Sequence, residues 1–384
     1  MKPSLISLGD VCEVQNGYAF DSKYFSSEPG SGMPLIRIRD ILNGFTNTYF
    51  TSDYSEEYVV KKGDFLIGMD GDFNIGQWKS EDALLNQRVC RLLPTNRILP
   101  KFIYYYIPAA LQAINASTSY TTVKHLSSKQ VKAILIPALT VSEQQHVVDV
   151  LDAEFAKIEI IKANAEKSLS ATKNLFQAIL QKELAPKKGW KTFCLKDVCK
   201  EYGDYGMSMP SKPFDSIRYL RITDITEWGD VTNDKVSVDA EAIDERYMVQ
   251  DGDILFARTG ATVGKTLVYD RKFGKCCYAG YLIRYRPDQN IVLPRMLYYI
   301  THSASYFNWV TVNQKSATLP NISAKLYNSY VLNLPSIKEQ ERIIACLDEL
   351  NESCRSLQQN YQKTISLCYD LKQALLRKAF SGEL

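Results

Sequence analysis

The sequence predicts an α+β chain built by tandem duplication: two mixed α/β domains, each followed by one long helix, with the two helices paired as a coiled coil. Three observations predict it. A stretch free of Gly and Pro occurs twice, Glu143–Lys182 and Glu339–Lys378. Short motifs ahead of each copy recur in the same order. The sequence between them carries short runs rich in Val, Ile and Tyr, bounded by turn residues, as half-buried strands do.

Each long stretch opens on an acidic, amide-rich turn after a proline: Pro137 then Glu143-Gln144-Gln145, and Pro335 then Glu339-Gln340-Glu341. Neither copy contains a residue that would break or strongly weaken a helix. Apolar positions recur in steps of three and four. The first seam reads Leu151, Phe155, Ile158, Ile161, Ala165, Leu169, Thr172, Phe176 and Ile179. The second reads Leu347, Leu350, Cys354, Leu357, Tyr361, Ile365, Cys368, Leu371 and Leu375. A narrow stripe sustained over several heptads is a coiled-coil signature rather than the broad face of a helix on a globular core. Each helix would extend about 60 Å.

The duplication continues ahead of the helices. Leu8-Gly9-Asp10-Val11-Cys12 pairs with Leu195-Lys196-Asp197-Val198-Cys199, and Arg37-Ile38-Arg39-Asp40-Ile41 with Arg221-Ile222-Thr223-Asp224-Ile225. Lys62-Gly63-Asp64-Phe65-Leu66 pairs with Asp251-Gly252-Asp253-Ile254-Leu255, and Leu99-Pro100-Lys101-Phe102 with Leu293-Pro294-Arg295-Met296. Thr122 with Leu126-Ser127 matches Thr318 with Ile322-Ser323. The period is near 190 residues, which marks duplicated domains and not a solenoid. The boundaries follow: a globular part over 1–136, a helix and hinge over 137–189, a second globular part over 190–334 and a second helix over 335–384. Ala185-Pro186-Lys187-Lys188-Gly189 is the hinge, where Pro and Gly stop the helix. Strands are expected at Leu35–Arg39, Asp64–Gly68, Arg88–Leu93, Tyr219–Thr223, Asp253–Ala257 and Tyr281–Arg286. Helices are expected at Pro100–Ala113 and Pro294–Ser305.

Bulk composition excludes several classes. Of 384 residues, 45% are hydrophobic and 23% charged, ordinary for a globular protein. A net charge of +3 permits local basic patches without signalling nucleic acid on its own. The 24 Tyr outnumber 15 Phe and 4 Trp together, a bias toward surfaces that are part apolar and part hydrogen-bonding. Nine Cys form no Cys-x-x-Cys pair, and His125, His146 and His302 are scattered, so no metal site is expected and the thiols are read as reduced. Met1-Lys2-Pro3-Ser4-Leu5 lacks the apolar core of a signal peptide. The longest apolar run, Phe102–Leu111, contains Pro108 and is too short to span a bilayer. A cytoplasmic location is the expectation.

Thr259-Gly260-Ala261-Thr262-Val263-Gly264-Lys265-Thr266 ends like a phosphate-binding loop, but the first glycine of that pattern would fall at Thr259. The matching stretch of the first half, from Met69 to Trp78, lacks the Lys altogether. No Gly-x-Ser-x-Gly elbow and no His-Glu-x-x-His occur. Nor is there the Asn/Asp-Pro-Pro-aromatic tetrapeptide that amino-methyltransferases carry. A Gly-rich loop after a strand can still bring backbone N–H groups and cations to nucleic-acid phosphates. Basic residues cluster near such strand–loop positions: Arg37, Arg39, Arg88 and Lys124 in the first half, and Arg221, Arg258, Lys265 and Lys315 in the second. Asn74, Gln77, Gln87 and Asn321 are amides able to read base edges, and Thr259 and Thr266 flank the Gly-rich loop. These fourteen are the candidate DNA-binding residues; no catalytic, cofactor-binding or metal-ligating residue is assigned.

The two-copy plan, with Leu8-Gly9-Asp10-Val11, Gly63-Asp64-Phe65-Leu66-Ile67-Gly68-Met69-Asp70-Gly71 and Leu85-Asn86-Gln87-Arg88-Val89-Cys90-Arg91-Leu92, resembles the specificity subunit of type I restriction–modification systems. Gly252-Asp253-Ile254-Leu255-Phe256-Ala257-Arg258-Thr259-Gly260 and the final Leu375-Leu376-Arg377-Lys378-Ala379-Phe380-Ser381-Gly382-Glu383-Leu384 carry the same resemblance in the second half. It implies two target recognition domains, each reading one half of an asymmetric, bipartite double-stranded DNA site. The helices would form an antiparallel spacer with pseudo-twofold symmetry. Two modification (methyltransferase) subunits and the restriction subunits would be the partners, holding S-adenosylmethionine, ATP and Mg, with no cofactor on this chain. Two other readings remain at this point: a coiled-coil assembly protein that does not touch DNA, and a nucleic-acid enzyme using the Gly-rich loops.

Overall fold

A computed structural model describes residues 4–117, 124–314 and 320–381. The chain divides into two compact units, Met1–Asn164 with Thr364–Leu384, and Ala165–Lys363. Helices among the described residues are α1 (Pro100–Ser117), α2 (Ser128–Lys132), α3 (Val141–Leu184), α4 (Pro294–Thr301), α5 (Ala304–Asn313), α6 (Ala324–Asn328) and α7 (Ile337–Ser381). Both long helices are thus divided between the units, so the units do not coincide with the globular segments read from the sequence. Thr122 and Thr318 lie outside the described residues.

In the first unit, strands Cys12–Asn16, Val89–Pro94, Phe65–Gly68 and Ile75–Gln77 form an antiparallel sheet in that order. The expected strand over Leu35–Arg39 is shorter: Met33–Ile36 runs parallel to Ala83–Leu85, and Ile38–Asp40 is a 3-10 turn. The Asp40 carboxylate accepts the Arg37 N–H at 2.9 Å, a local bond that competes with a strand ladder. Arg88 likewise stands outside its expected strand, because its φ of 73° is left-handed and the ladder resumes only at Val89.

The second unit repeats this internal plan. Cys199–Tyr205, Leu282–Pro287, Ile254–Ala257 and Thr266–Val268 form the antiparallel sheet, and Arg218–Leu220 runs parallel to Cys276–Tyr278. Asp224 turns the chain as Asp40 does, accepting the Arg221 N–H at 2.8 Å, so Ile222–Asp224 is a 3-10 turn and not the end of a strand. The second expected helix, Pro294–Ser305, is two helices. Ser303 caps α5 with its side chain on the Tyr306 N–H, starting a new helix where one was expected to run on.

Each globular part is fastened to its long helix by one buried glutamine. Gln144 is 2% exposed; its Oε1 accepts the Leu99 N–H at 2.8 Å and its Nε2 donates to Arg97 O and Leu139 O. Gln340 is fully buried and does the same with Leu293 N–H, Ile291 O and Pro335 O. The first core joins Phe102, Ile103 and Ile107 of α1 to Leu151 of α3 and Ala379 of α7. The second joins Met296 and Leu297 of α4 to Phe176 and Leu180 of α3 and Ile343 and Leu347 of α7.

Buried positions along the long helices differ from the expected seam at three places. Ile161 (49% exposed), Leu357 (44%) and Leu371 (49%) face outward. Gln358, only 8% exposed, takes the buried place beside Leu357. On α7 the burial runs Leu347, Asn351, Cys354, Gln358, a strict alternation of four and three. Position relative to the preceding turns, not the apolarity of a residue, decides which side chain enters the seam. Within the first unit Lys372 pairs with Glu159, and within the second Arg342 pairs with Glu183 at 2.9 Å.

Candidate nucleic-acid interface

In each unit a sheet strand runs out into a loop, Phe65–Gly68 into Met69-Asp70-Gly71, and Ile254–Ala257 into Arg258-Thr259-Gly260; Met69 is buried and Arg258 half-buried. The backbone of both loops is clamped at matching points. Met69 N–H donates to Arg88 O at 2.9 Å, and Arg258 N–H to Tyr281 O at 3.0 Å. Leu126 N–H reaches Met69 O at 2.7 Å, and Ile322 N–H reaches Arg258 O at 2.9 Å. Gly71 and Gly260 N–H groups donate to Lys124 O and Pro320 O at 3.0 and 2.9 Å. Asp70 bridges His125 as Thr259 bridges Asn321. A neighbouring segment is held by close approach. A Cβ on Gly17 would stand 2.0 Å from Asn86 O, and one on Gly206 would stand 2.3 Å from Ala279 O. No other residue fits at either place.

On this shared frame the side chains differ. The first unit brings together Arg88, Asp70 and His125: the Asp70 carboxylate lies 2.6 Å from His125 Nδ1 and 3.5 Å from Arg88 Nε. Gln87 and Tyr18 are exposed alongside, joined by the Gln87 N–H on Tyr18 O at 2.7 Å. Lys124 is close by, but its Nζ donates to the Asn115 carbonyl and side-chain oxygen at 2.6 and 2.7 Å. Asn74 closes the loop through its carbonyl, which accepts the Gly68 N–H. Gln77 is at the opposite end of its strand, with Nε2 on Gly63 O. Arg37 and Arg39 are exposed around the Asp40 turn, with Arg39 3.8 Å from that carboxylate.

The second unit places Arg221 and Arg258 in one concavity of about 690 Å3, whose walls include Tyr205, Tyr219 and Tyr281. Arg221 is committed to the protein, pairing with Asp224 at 2.8 Å and Asp234 at 2.9 Å; these carboxylates raise it above the usual guanidinium range. The Arg258 guanidinium instead lies over the Tyr205 ring, 5.0 Å from its centroid. Lys265 is half-buried next to the loop, where its carbonyl accepts the Ala257 N–H. Thr266 is in the core at 1% exposure with its hydroxyl 2.7 Å from that of Thr301, so it offers nothing to a ligand. Lys315 lies outside the described residues. The phosphate-loop likeness ends here too: the segment passes through a 3-10 turn, Gly260–Thr262, into strand Thr266–Val268, where a phosphate loop needs a helix N-terminus.

Asp70, His125 and Tyr18 were not among the candidates, nor were Tyr205 and Tyr281. The excess of tyrosine was the available signal, since Tyr18, Tyr205 and Tyr281 are all more than 40% exposed at these loops. Among the described residues no helix is long and apolar enough to cross a membrane, and no cluster of three or more His, Cys, Asp or Glu could hold a metal ion.

The sequence profile of the type I restriction modification DNA specificity domain matches twice, over residues 4–170 and 187–367. The chain belongs to that family. It is 32% identical to the type I restriction enzyme EcoBI specificity subunit of Escherichia coli, over 99% of this chain and 85% of the relative. It is 24% identical to the EcoKI specificity subunit of Escherichia coli strain K12, over 92% and 82%. Among solved structures, a chain from a study of complex assembly and conformational transition of the type I R-M system shares the fold at a TM-score of 0.75, with 20% identity over 99% of this chain and 98% of that one. The HsdS subunit from Thermoanaerobacter tengcongensis matches at 0.53, with 19% identity over 99% and 97%. As a specificity subunit the chain supplies DNA sequence choice and is not itself the enzyme.

Proposed function

We propose that residues 1–136 and 190–334 each read one half of a bipartite, asymmetric double-stranded DNA site. One observation carries this reading. Two loops share a backbone hydrogen-bond frame yet present different side chains: Asp70 against Thr259, Arg88 against Tyr281, His125 against Asn321, while Met69, at the place of Arg258, is buried. Such a frame keeps the geometry of approach while its tips choose the bases.

The helices α3 and α7 form an antiparallel coiled-coil spacer, with the two halves related by a pseudo-twofold axis. Within the first unit Leu151 shares a core with Ala379 while Glu159 pairs with Lys372, so the α7 number falls as the α3 number rises, which supports the direction. Two modification subunits dock on this spacer and restriction subunits join them; S-adenosylmethionine, ATP and Mg act there, in the cytoplasm. The rival reading of a DNA-independent assembly protein gives no reason for differing tips on one frame.

Domain exchange tests the proposal. Replacing residues 190–334 with the matching domain of a relative, in the complete methyltransferase complex, should change one half of the methylated motif and leave the other. Mapping methylated adenines genome-wide reads the result. A motif changed in both halves, or in neither, would refute independent reading.

A further inference from the structure

Ten arginines occur in the second unit. Eight hold carboxylates: Arg221, Arg246, Arg271, Arg284, Arg286, Arg295, Arg342 and Arg355 each form an ion pair. Arg218 is 2% exposed and spends its Nη2 on the carbonyls of Thr232 and Asp234. Of these ten, Arg258 alone is accessible and has no ion pair with a described carboxylate. Its backbone is fixed from both sides by Tyr281 O and the Ile322 N–H, and its guanidinium lies over the Tyr205 ring. Its Nη1 is a marginal 3.5 Å from Gly280 O, and its Nε is buried with no partner at all.

An unpaired buried N–H is costly, and a guanidinium with no carboxylate, held over a ring, is positioned before any ligand arrives. The two-pronged face of such a group matches paired acceptors in one plane. On the major-groove edge of DNA, guanine O6 and N7 present that pair, and no other base does. Phosphate is the alternative acceptor. Phosphate oxygens also accept a guanidinium fork, but a phosphate contact is equally served by an exposed lysine, without the tyrosine beside it or the recessed place in the concavity.

Resting on the recognition role proposed above, we infer that Arg258 is the base-reading arginine of residues 190–334 and that their half-site contains a guanine met through O6 and N7. The first unit has Met69 at the matching loop position, so its half-site is read by other groups.

The test uses the full chain assembled with its modification subunits and duplexes carrying the methylated motif. Each guanine of the half-site assigned by domain exchange is replaced in turn by adenine and by 7-deazaguanine, which lacks only the N7 acceptor. One position should lose roughly 5- to 150-fold in affinity with adenine, and less with 7-deazaguanine. Arg258→Ala should abolish the discrimination at that position alone, with no further loss from 7-deazaguanine. Arg258→Lys, which keeps the charge, should bind with weakened discrimination there. A uniform loss across all sequences, with the salt slope reduced by about one, would make Arg258 a phosphate contact and overturn the assignment. A selective complex whose choice ignores Arg258 would also overturn it, while leaving the recognition role intact. A complex with no sequence preference would overturn both.

Discussion

Replacing Gln340 by Leu tests what fastens a recognition domain to its helix. The wild-type amide is fully buried and satisfies three main-chain groups: the Leu293 N–H at 3.0 Å, Ile291 O at 2.9 Å and Pro335 O at 3.1 Å. Leucine is close in volume, so little cavity forms, but all three groups are left buried without a partner. Each such orphan costs about 1–3 kcal/mol. The extra apolar burial of leucine returns about 1 kcal/mol, so the net loss should be about 2–8 kcal/mol. Gln340→Glu keeps an acceptor for Leu293 but points a carboxylate at two carbonyls. Its folded-state pKa is raised, so its penalty should be largest at neutral pH and shrink as pH falls toward the ordinary carboxyl range. Amide exchange at Leu293, with urea unfolding followed by tryptophan fluorescence, measures both effects. The units need not unfold together, so exchange is the sharper probe. A change below about 1 kcal/mol for Gln340→Leu would show that these carbonyls and amide find other partners, and would refute the clamp.

Three further outcomes are expected. The purified chain, given S-adenosylmethionine or Mg-ATP, should neither methylate nor cut DNA; turnover that vanishes in Lys265→Ala would revive the enzyme reading. Deleting one heptad from each helix mid-spacer, Ile161–Lys167 with Tyr361–Leu367, avoids Asp152 and Asp348, which anchor Lys101 and Arg295. It shortens the proposed spacer by about 10 Å, roughly 3 bp, and turns the far half-site by about 100°. Selection from randomised DNA should then return both half-sites with a shorter gap, whereas the parental gap at parental affinity would refute the ruler. Burial pushes His302 down to about 4, with its Nδ1–H donating to Tyr298 O at 2.7 Å. Its folded pKa lies below its unfolded value of about 6.5. Its contribution to stability is therefore present above pH 6.5 and lost as pH falls toward 4. The urea midpoint difference between wild type and His302→Asn should shrink from pH 7 to pH 4.5, and a constant difference would exclude this titration.

Much of this protein was legible in its sequence. The duplication, the two long helices and the mixed α/β character rest on short-range signals: motif order, the absence of Gly and Pro, and apolar periodicity. Each survives as a pattern because neighbouring residues alone produce it. The family, too, was legible from its motifs, later matched over both halves. Local chemistry also explains the first misreadings, since Asp40 and Asp224 sit three residues after the backbone N–H groups they cap and could have been read as turn signals.

Tertiary structure decided what the sequence left equivalent. Leu357 and Gln358 are neighbours, and the more apolar one should be the seam residue; the strict four–three geometry of α7 buries the glutamine and exposes the leucine. Arg221 and Arg258 were equal candidates for DNA, both basic residues following a strand. Arg221 is tied to Asp234, thirteen positions along, while Arg258 meets a tyrosine more than fifty positions away and no acid. Thr266 and Thr259 bracket one loop, yet only Thr266 is sealed in the core against Thr301. Periodicity is written into adjacent residues, whereas the partner of a charge is chosen by chain segments that only folding brings together.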